Sequence, residues 1–115
     1  MNKLFKKFIY AGRGLGYVFK REQNFRWEIF IFIIAVIGGW WLNFSILAWS
    51  ILIILSVLVL TSEIYNTIIE RVLDLLEPRL SIHVAFLKDI QAGAVLLIAT
   101  ASIIVGIFLI VEYWH

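Results

Sequence analysis

The sequence predicts an all-α integral membrane protein with three transmembrane helices and an amphipathic surface helix at the N-terminus. Three observations carry this. Of the 115 residues, 63% are hydrophobic and mean hydropathy is +0.97, more apolar surface than a soluble domain of this size has use for. The apolar residues fall into three runs, each close to the roughly 20 residues that a helix needs to cross a bilayer. All ten Lys and Arg residues lie before Trp27 or from Arg71 to Lys88, so three crossings place every basic residue on one side. The positive-inside rule makes that side cytoplasmic, with the N-terminus on it. One domain spanning residues 1–115 is expected. With no cysteine in the chain, disulfides and thiolate metal sites are excluded, and two distant histidines, His83 and His115, do not make a zinc site.

Residues 1–21 place Leu4, Phe8, Ala11, Leu15 and Val18 on one helical face, with Lys3, Lys6, Lys7, Arg13, Lys20 and Arg21 carrying the charge. Such a segment lies on a membrane rather than across it. The spacing Gly12-Arg13-Gly14-Leu15-Gly16 is neither a dinucleotide fingerprint nor a P-loop. No small-residue cleavage site follows, so the segment does not read as a signal peptide. A polar collar, Glu22 to Glu28, leads into the first membrane helix (28–44), which holds Gly38-Gly39 and ends at Trp40-Trp41, an interfacial pair. The second helix (46–76) continues beyond its apolar part as a cytoplasmic stalk that Pro78 stops. The third (84–113) passes through Ala92-Gly93-Ala94, small residues suited to a crowded helix contact.

The stalk carries the chemistry. Glu63, Asn66, Glu70, Asp74 and Glu77 stand at i, i+3, i+7, i+11 and i+14, one face of one helix. A carboxylate at the edge of hydrocarbon is costly unless paired or used. One structural ion pair, with Lys88, Arg71 or Arg79, does not need so many acids. An acid excess on the cytoplasmic side calls for a cation, and oxygen ligands select a hard one such as Mg2+. With Lys88 nearby, the row points to a cation and a phosphate. An ion channel is the weaker reading, because no polar stripe continues through the spans.

These residues also resemble a family. Glu63-x-x-Asn66-Thr67-x-x-Glu70-x-x-x-Asp74, followed by Lys88-Asp89-x-x-Ala92-Gly93-Ala94-Val95, is similar to the small bacterial integral-membrane lipid kinases, the diacylglycerol and undecaprenol kinases. The upstream Ala11-Gly12-Arg13-Gly14 and Glu22-Gln23-Asn24-Phe25-Arg26 resemble the undecaprenol kinases more closely. The resemblance implies ATP-dependent, Mg2+-assisted phosphorylation of a membrane lipid alcohol by a homotrimer with active sites between subunits. It makes Glu63 the catalytic base and Glu22 and Glu70 the Mg2+ ligands. Lys3, Tyr10, Glu22, Glu70, Arg79, Leu80, Ser81, Lys88 and Asp89 become ATP contacts. Asn24, Phe25, Arg26, Trp27, Glu28, Glu63 and Ala92 line the approach of the lipid, and Asn66 and Asp74 support the site. Tyr65, Ile68 and Gln91 depart from the family's usual smaller or aliphatic residues without touching this chemistry. Phosphoryl transfer asks mainly for positioning and charge neutralisation, which a carboxylate row with a lysine can supply. The other reading is an assembly protein that kept the fold without catalysis.

Overall fold

The computed structural model describes residues 2–76, 79 and 81–114. Four helices follow in order: α1 Lys3–Arg21, α2 Gln23–Trp41, α3 Ile46–Leu76 and α4 Ser81–Tyr113. Glu77, Pro78 and Leu80, assigned above to the carboxylate row, the helix stop and the nucleotide contacts, lie outside the described residues, as does His115.

Three of the helices, α2, α3 and α4, are long and apolar enough to cross a membrane. At about 1.5 Å per residue, the 19 residues of α2 just match a hydrocarbon core of about 30 Å. The 31 residues of α3 and 33 of α4 exceed it by several turns. Two helices begin earlier than the hydropathy predicts. Helix α2 starts at Gln23, so all of the polar collar after Glu22 is helical, and α4 starts at Ser81, so its polar opening is helical before the apolar run begins. Hydropathy marks where a chain becomes apolar, whereas a helix begins where its backbone bonds begin.

Helix α3 packs most extensively on α4 and less on α2, while α1 meets α2 near their joint. Few side chains are enclosed. The buried apolar residues are Val18, Phe25, Ala48, Leu73 and Val84, and three polar residues of α3, Ser62, Glu63 and Thr67, are buried with them. Long apolar side chains such as Ile46, Leu47, Leu97 and Phe108 face outward, the pattern expected where lipid rather than water is the solvent.

The α2–α3 turn is tightly built. Asn43 takes a left-handed backbone (φ 60°), and the amides of Asn43 and Phe44 donate to the carbonyls of Trp40 (3.3 Å) and Gly39 (3.0 Å). This is a Schellman closure, in which Asn tolerates the conformation that otherwise favours glycine. Phe44 folds back on Gly39, where an added Cβ would meet the ring at 2.7 Å. Ser45 caps α3 by accepting from the Ala48 amide (3.2 Å), and its hydroxyl lies 2.8 Å from that of Tyr113. Phe44 packs on Trp49 and Tyr113, and Trp41 on Trp114. The turn and the end of α4 are thereby locked together.

Candidate active site

At the opposite end of the molecule, α3 brings its carboxylates to the point where α1 becomes α2. Glu63 is 4% exposed. The hydroxyls beside it are already committed: Thr67 donates to the Glu63 carbonyl (3.0 Å) and Ser62 to the Val59 carbonyl (2.7 Å). Such back-bonding satisfies a buried hydroxyl within its own helix and leaves the Glu63 carboxylate to other partners. The group beside it is the Glu28 carboxyl of α2, whose Oε2 is buried with no hydrogen-bond partner. Glu22 and Glu70 lie near enough for their charges to act on Glu63. Among the described residues, none of these four acids is in an ion pair. The Glu28 and Glu63 carboxyls hydrogen-bond each other, so that pair is partnered within the chain, and acids gathered without a cation suit a counter-charge from outside it.

Further along α3, the Asn66 side-chain amide donates to Glu70 Oε1 at 3.4 Å, one turn apart, and Asp74 pairs with Lys88 of α4 at 3.0 Å. The Asp74 and Lys88 side chains are both substantially solvated, so the pair adds at most about 1 kcal/mol to stability. It ties α4 to α3 one turn beyond Glu70. Asp89, the next residue along, is exposed, because adjacent helical residues point in different directions.

The residues predicted from sequence thus divide. Glu22, Glu28, Glu63, Glu70 and Asn66 come together, with Lys88 and Asp74 one step away. Lys3 and Tyr10 do not join them within one chain. Lys3 lies 19 residues before Glu22 along a continuous helix, about 28 Å along the axis, and Tyr10 stacks under Arg13 (5.8 Å). Ser81 opens α4, and Arg79 sits in the turn before it. Asn24, Trp27 and Ala92 are exposed, while Phe25 is buried. Arg26 is half-buried and turns back on α1: its Nη1 donates to the Phe19 (2.6 Å) and Lys20 (3.0 Å) carbonyls. A second tie is the Tyr17 ring, which has the guanidinium of Arg21 at 5.4 Å and that of Arg71, from α3, at 5.9 Å. Exposed cation–π contacts of this kind contribute about 0.5–1 kcal/mol each.

Two features escaped the sequence reading. One is the direct approach of Glu28 to Glu63, which joins residues of two helices. The other is an apolar groove of about 450 Å³ that starts at Glu28 and runs between α2, α3 and α4 past Phe32, Ala35, Ser56, Ala99 and Ser102. Small residues on three facing helices (Ala35, Ser56, Ala99) were the signal for it. One end of the groove is therefore a carboxylate and the remainder is hydrocarbon in character.

Among the described residues, no three acidic or histidine side chains converge as a closed metal site. The donor set nonetheless fits Mg2+. Glu22 and Glu70 offer hard carboxylate oxygens near Glu63 and are in no ion pair among the described residues, and Mg2+ is commonly held by one or two carboxylates, with water and substrate phosphate completing its shell.

Three helices long and apolar enough to cross a membrane, with the buried Glu63 beside Glu28 at one end of an apolar groove, make a site suited to a lipid at a polar boundary. The chain belongs to the prokaryotic diacylglycerol kinase family, whose model matches residues 9–110, and it is a lipid kinase. It is similar to an undecaprenol kinase of Bacillus subtilis, 32% identical over 109 residues, covering 95% of this chain and 89% of that one. It is also similar to a diacylglycerol kinase of Synechocystis, 36% identical over 104 residues, covering 90% of this chain but 59% of the relative's length. No solved structure matches.

Proposed function

We propose that the chain transfers the terminal phosphoryl group of ATP to the hydroxyl of a membrane lipid alcohol, undecaprenol or diacylglycerol, at the cytoplasmic boundary of a bacterial plasma membrane. The observation that carries this reading is the buried Glu63, set between an apolar groove that begins at Glu28 and the outer acids Glu22 and Glu70. Counted from Ile46, about 20 residues of α3 cross the hydrocarbon, so Glu63 stands at its cytoplasmic edge. Glu70 is about 10 Å further along the axis, among headgroups and water.

The two ends of the site suit the two substrates. A lipid hydroxyl anchored by its hydrocarbon reaches Glu63 without leaving the membrane. There Glu63 accepts the hydroxyl proton as the oxygen attacks the γ-phosphorus and the bond to the departing ADP oxygen breaks. Lys88 sets a point charge against the phosphates, and Asn66 orients Glu70. Glu22 and Glu70 would hold Mg2+, which when bound neutralises phosphate charge and aligns the transferred group. Glu28 lines the lipid side.

A basic, amphipathic α1 lying on the cytoplasmic face completes the proposed architecture. Lys3 and Tyr10 are too far along α1 to serve their own chain's acids, so a nucleotide role for them requires the site of a neighbouring copy. A homotrimer with sites between subunits meets that requirement, and the nucleotide and lipid assignments made from the sequence carry over to it.

The test uses purified protein in bilayers with labelled ATP and Mg2+, offered undecaprenol and diacylglycerol side by side. Phosphorylated lipid that disappears on chelation of Mg2+ is the expected result, and the faster acceptor names the substrate. If neither alcohol is labelled while the protein remains folded, the kinase reading gives way to that of a membrane assembly protein.

A further inference from the structure

Glu22 is the single residue between α1 and α2, and its position depends on how those helices are joined. Its backbone is extended (φ −108°, ψ 110°) and its amide donates to the Val18 carbonyl at 2.8 Å, yet its side chain caps neither helix. The carboxylate is therefore free to face Glu63. The last carbonyls of α1 lack partners within their own helix. Arg26, one turn into α2, supplies one: its Nη1 reaches back to the Phe19 and Lys20 carbonyls at 2.6 and 3.0 Å. A cation at a helix C-terminus is favoured by the helix dipole as well. Arg71 on α3 adds a second hold through the Tyr17 ring.

The geometry points to Arg26 as a positioning residue: it clasps the end of α1 to α2 and so fixes the Glu22 carboxylate against Glu63 and Glu70. The inference rests on the proposed kinase function, in which Glu22 is a metal ligand. It gives Arg26 a role other than contact with a lipid headgroup. Since two helices meet at one extended residue, release of the clasp lets α1 swing about Glu22, and a shift of about 1 Å in a reacting group is enough to cost on the order of a hundredfold in rate.

Wild type, Arg26→Ala and Arg26→Lys are compared as full chains in bilayer nanodiscs by two measurements. The first is amide hydrogen exchange over residues 19–26 without metal or nucleotide. The second is the Mg2+ dependence of lipid phosphorylation. Arg26→Ala is expected to lose protection at residues 19–26 while α3 stays protected, and to raise half-saturating Mg2+ by roughly tenfold to a hundredfold, the range for loss of a group supporting a metal ligand. Arg26→Lys, which keeps a cationic donor for the same carbonyls, is expected to recover most of both. Wild-type exchange and wild-type Mg2+ dependence in Arg26→Ala overturn the inference. So does an Arg26→Lys protein with wild-type exchange but activity as poor as that of Arg26→Ala, because the guanidinium then acts on substrate directly. Should Arg26→Ala not fold, Arg26→Gln is read by the same two measurements and the same outcomes. If wild type phosphorylates no lipid, the kinase reading falls, and the exchange measurement alone still decides whether the clasp exists.

Discussion

The two ends of the bundle are built on opposite principles. At the α2–α3 turn nearly every polar group has a partner: the Schellman amides, the Ser45 cap, the Ser45–Tyr113 contact and the aromatic rings that cover Gly39. At the α1–α2 joint four carboxylates approach one another without an ion pair among the described residues, and a buried oxygen of Glu28 lacks any hydrogen bond. In an apolar surrounding an unpaired polar group is costly. One end therefore consolidates the fold, and the other gathers acids, which under the proposed function await cation and substrate. Loss of function and loss of stability should follow different ends of the molecule.

Substitutions that break this contrast are ordered by expected effect. Glu70→Gln is expected to lower turnover at low Mg2+ by on the order of a hundredfold, as removal of a preorganised charge does, with partial recovery at high Mg2+. Its melting temperature should not fall, because a like-charge contact is relieved. A loss of stability with normal Mg2+ dependence would place Glu70 in the scaffold instead. At the other end, Gly39→Val should destabilise by about 1–3 kcal/mol, the usual cost of forcing extra atoms into a packed site. Phe44 cannot yield easily there, being held by Trp49 and Tyr113. Turnover per folded molecule should be unchanged, which thermal melting and active-fraction assays on one preparation would check. Ser45→Ala loses a helix cap and the Tyr113 contact and should cost about 1 kcal/mol. The smallest stability effect belongs to Asp74→Asn, below about 1 kcal/mol for a solvated pair. Its sharper reading is kinetic: with Lys88 less constrained, KM for ATP should rise more than kcat falls.

The contrast also explains what the sequence discloses. Glu63, Asn66, Glu70 and Asp74 recur on a helical period, so their common face is visible without coordinates, and composition with charge placement makes three membrane helices visible too. The Asn66–Glu70 contact follows from the same period, since it is an i, i+4 pair. Residues brought together by packing are not visible in this way. Glu28 meets Glu63 because α2 crosses α3 at a particular height, which no periodicity encodes. Arg26 looks like an interfacial snorkelling arginine because its partners are backbone carbonyls, which leave no mark in a pattern of side chains. The starts of α2 and α4 are hidden for a related reason, as polar opening turns leave no mark in a hydropathy profile. Lys3 and Tyr10 show the converse. Their motif positions are readable, but one chain cannot bring them to the acids.

The most direct test of the account measures binding and chemistry on the same Glu63→Gln protein in bilayers, with nucleotide affinity from a Mg–ATP titration and phosphoryl transfer to the preferred lipid alcohol from labelled ATP. If Glu63 is the base at the mouth of the groove, the variant binds Mg–ATP like wild type, melts no lower, and transfers no phosphate above background. Transfer at the wild-type rate would remove Glu63 from the chemistry and with it the reason for a buried acid at that depth.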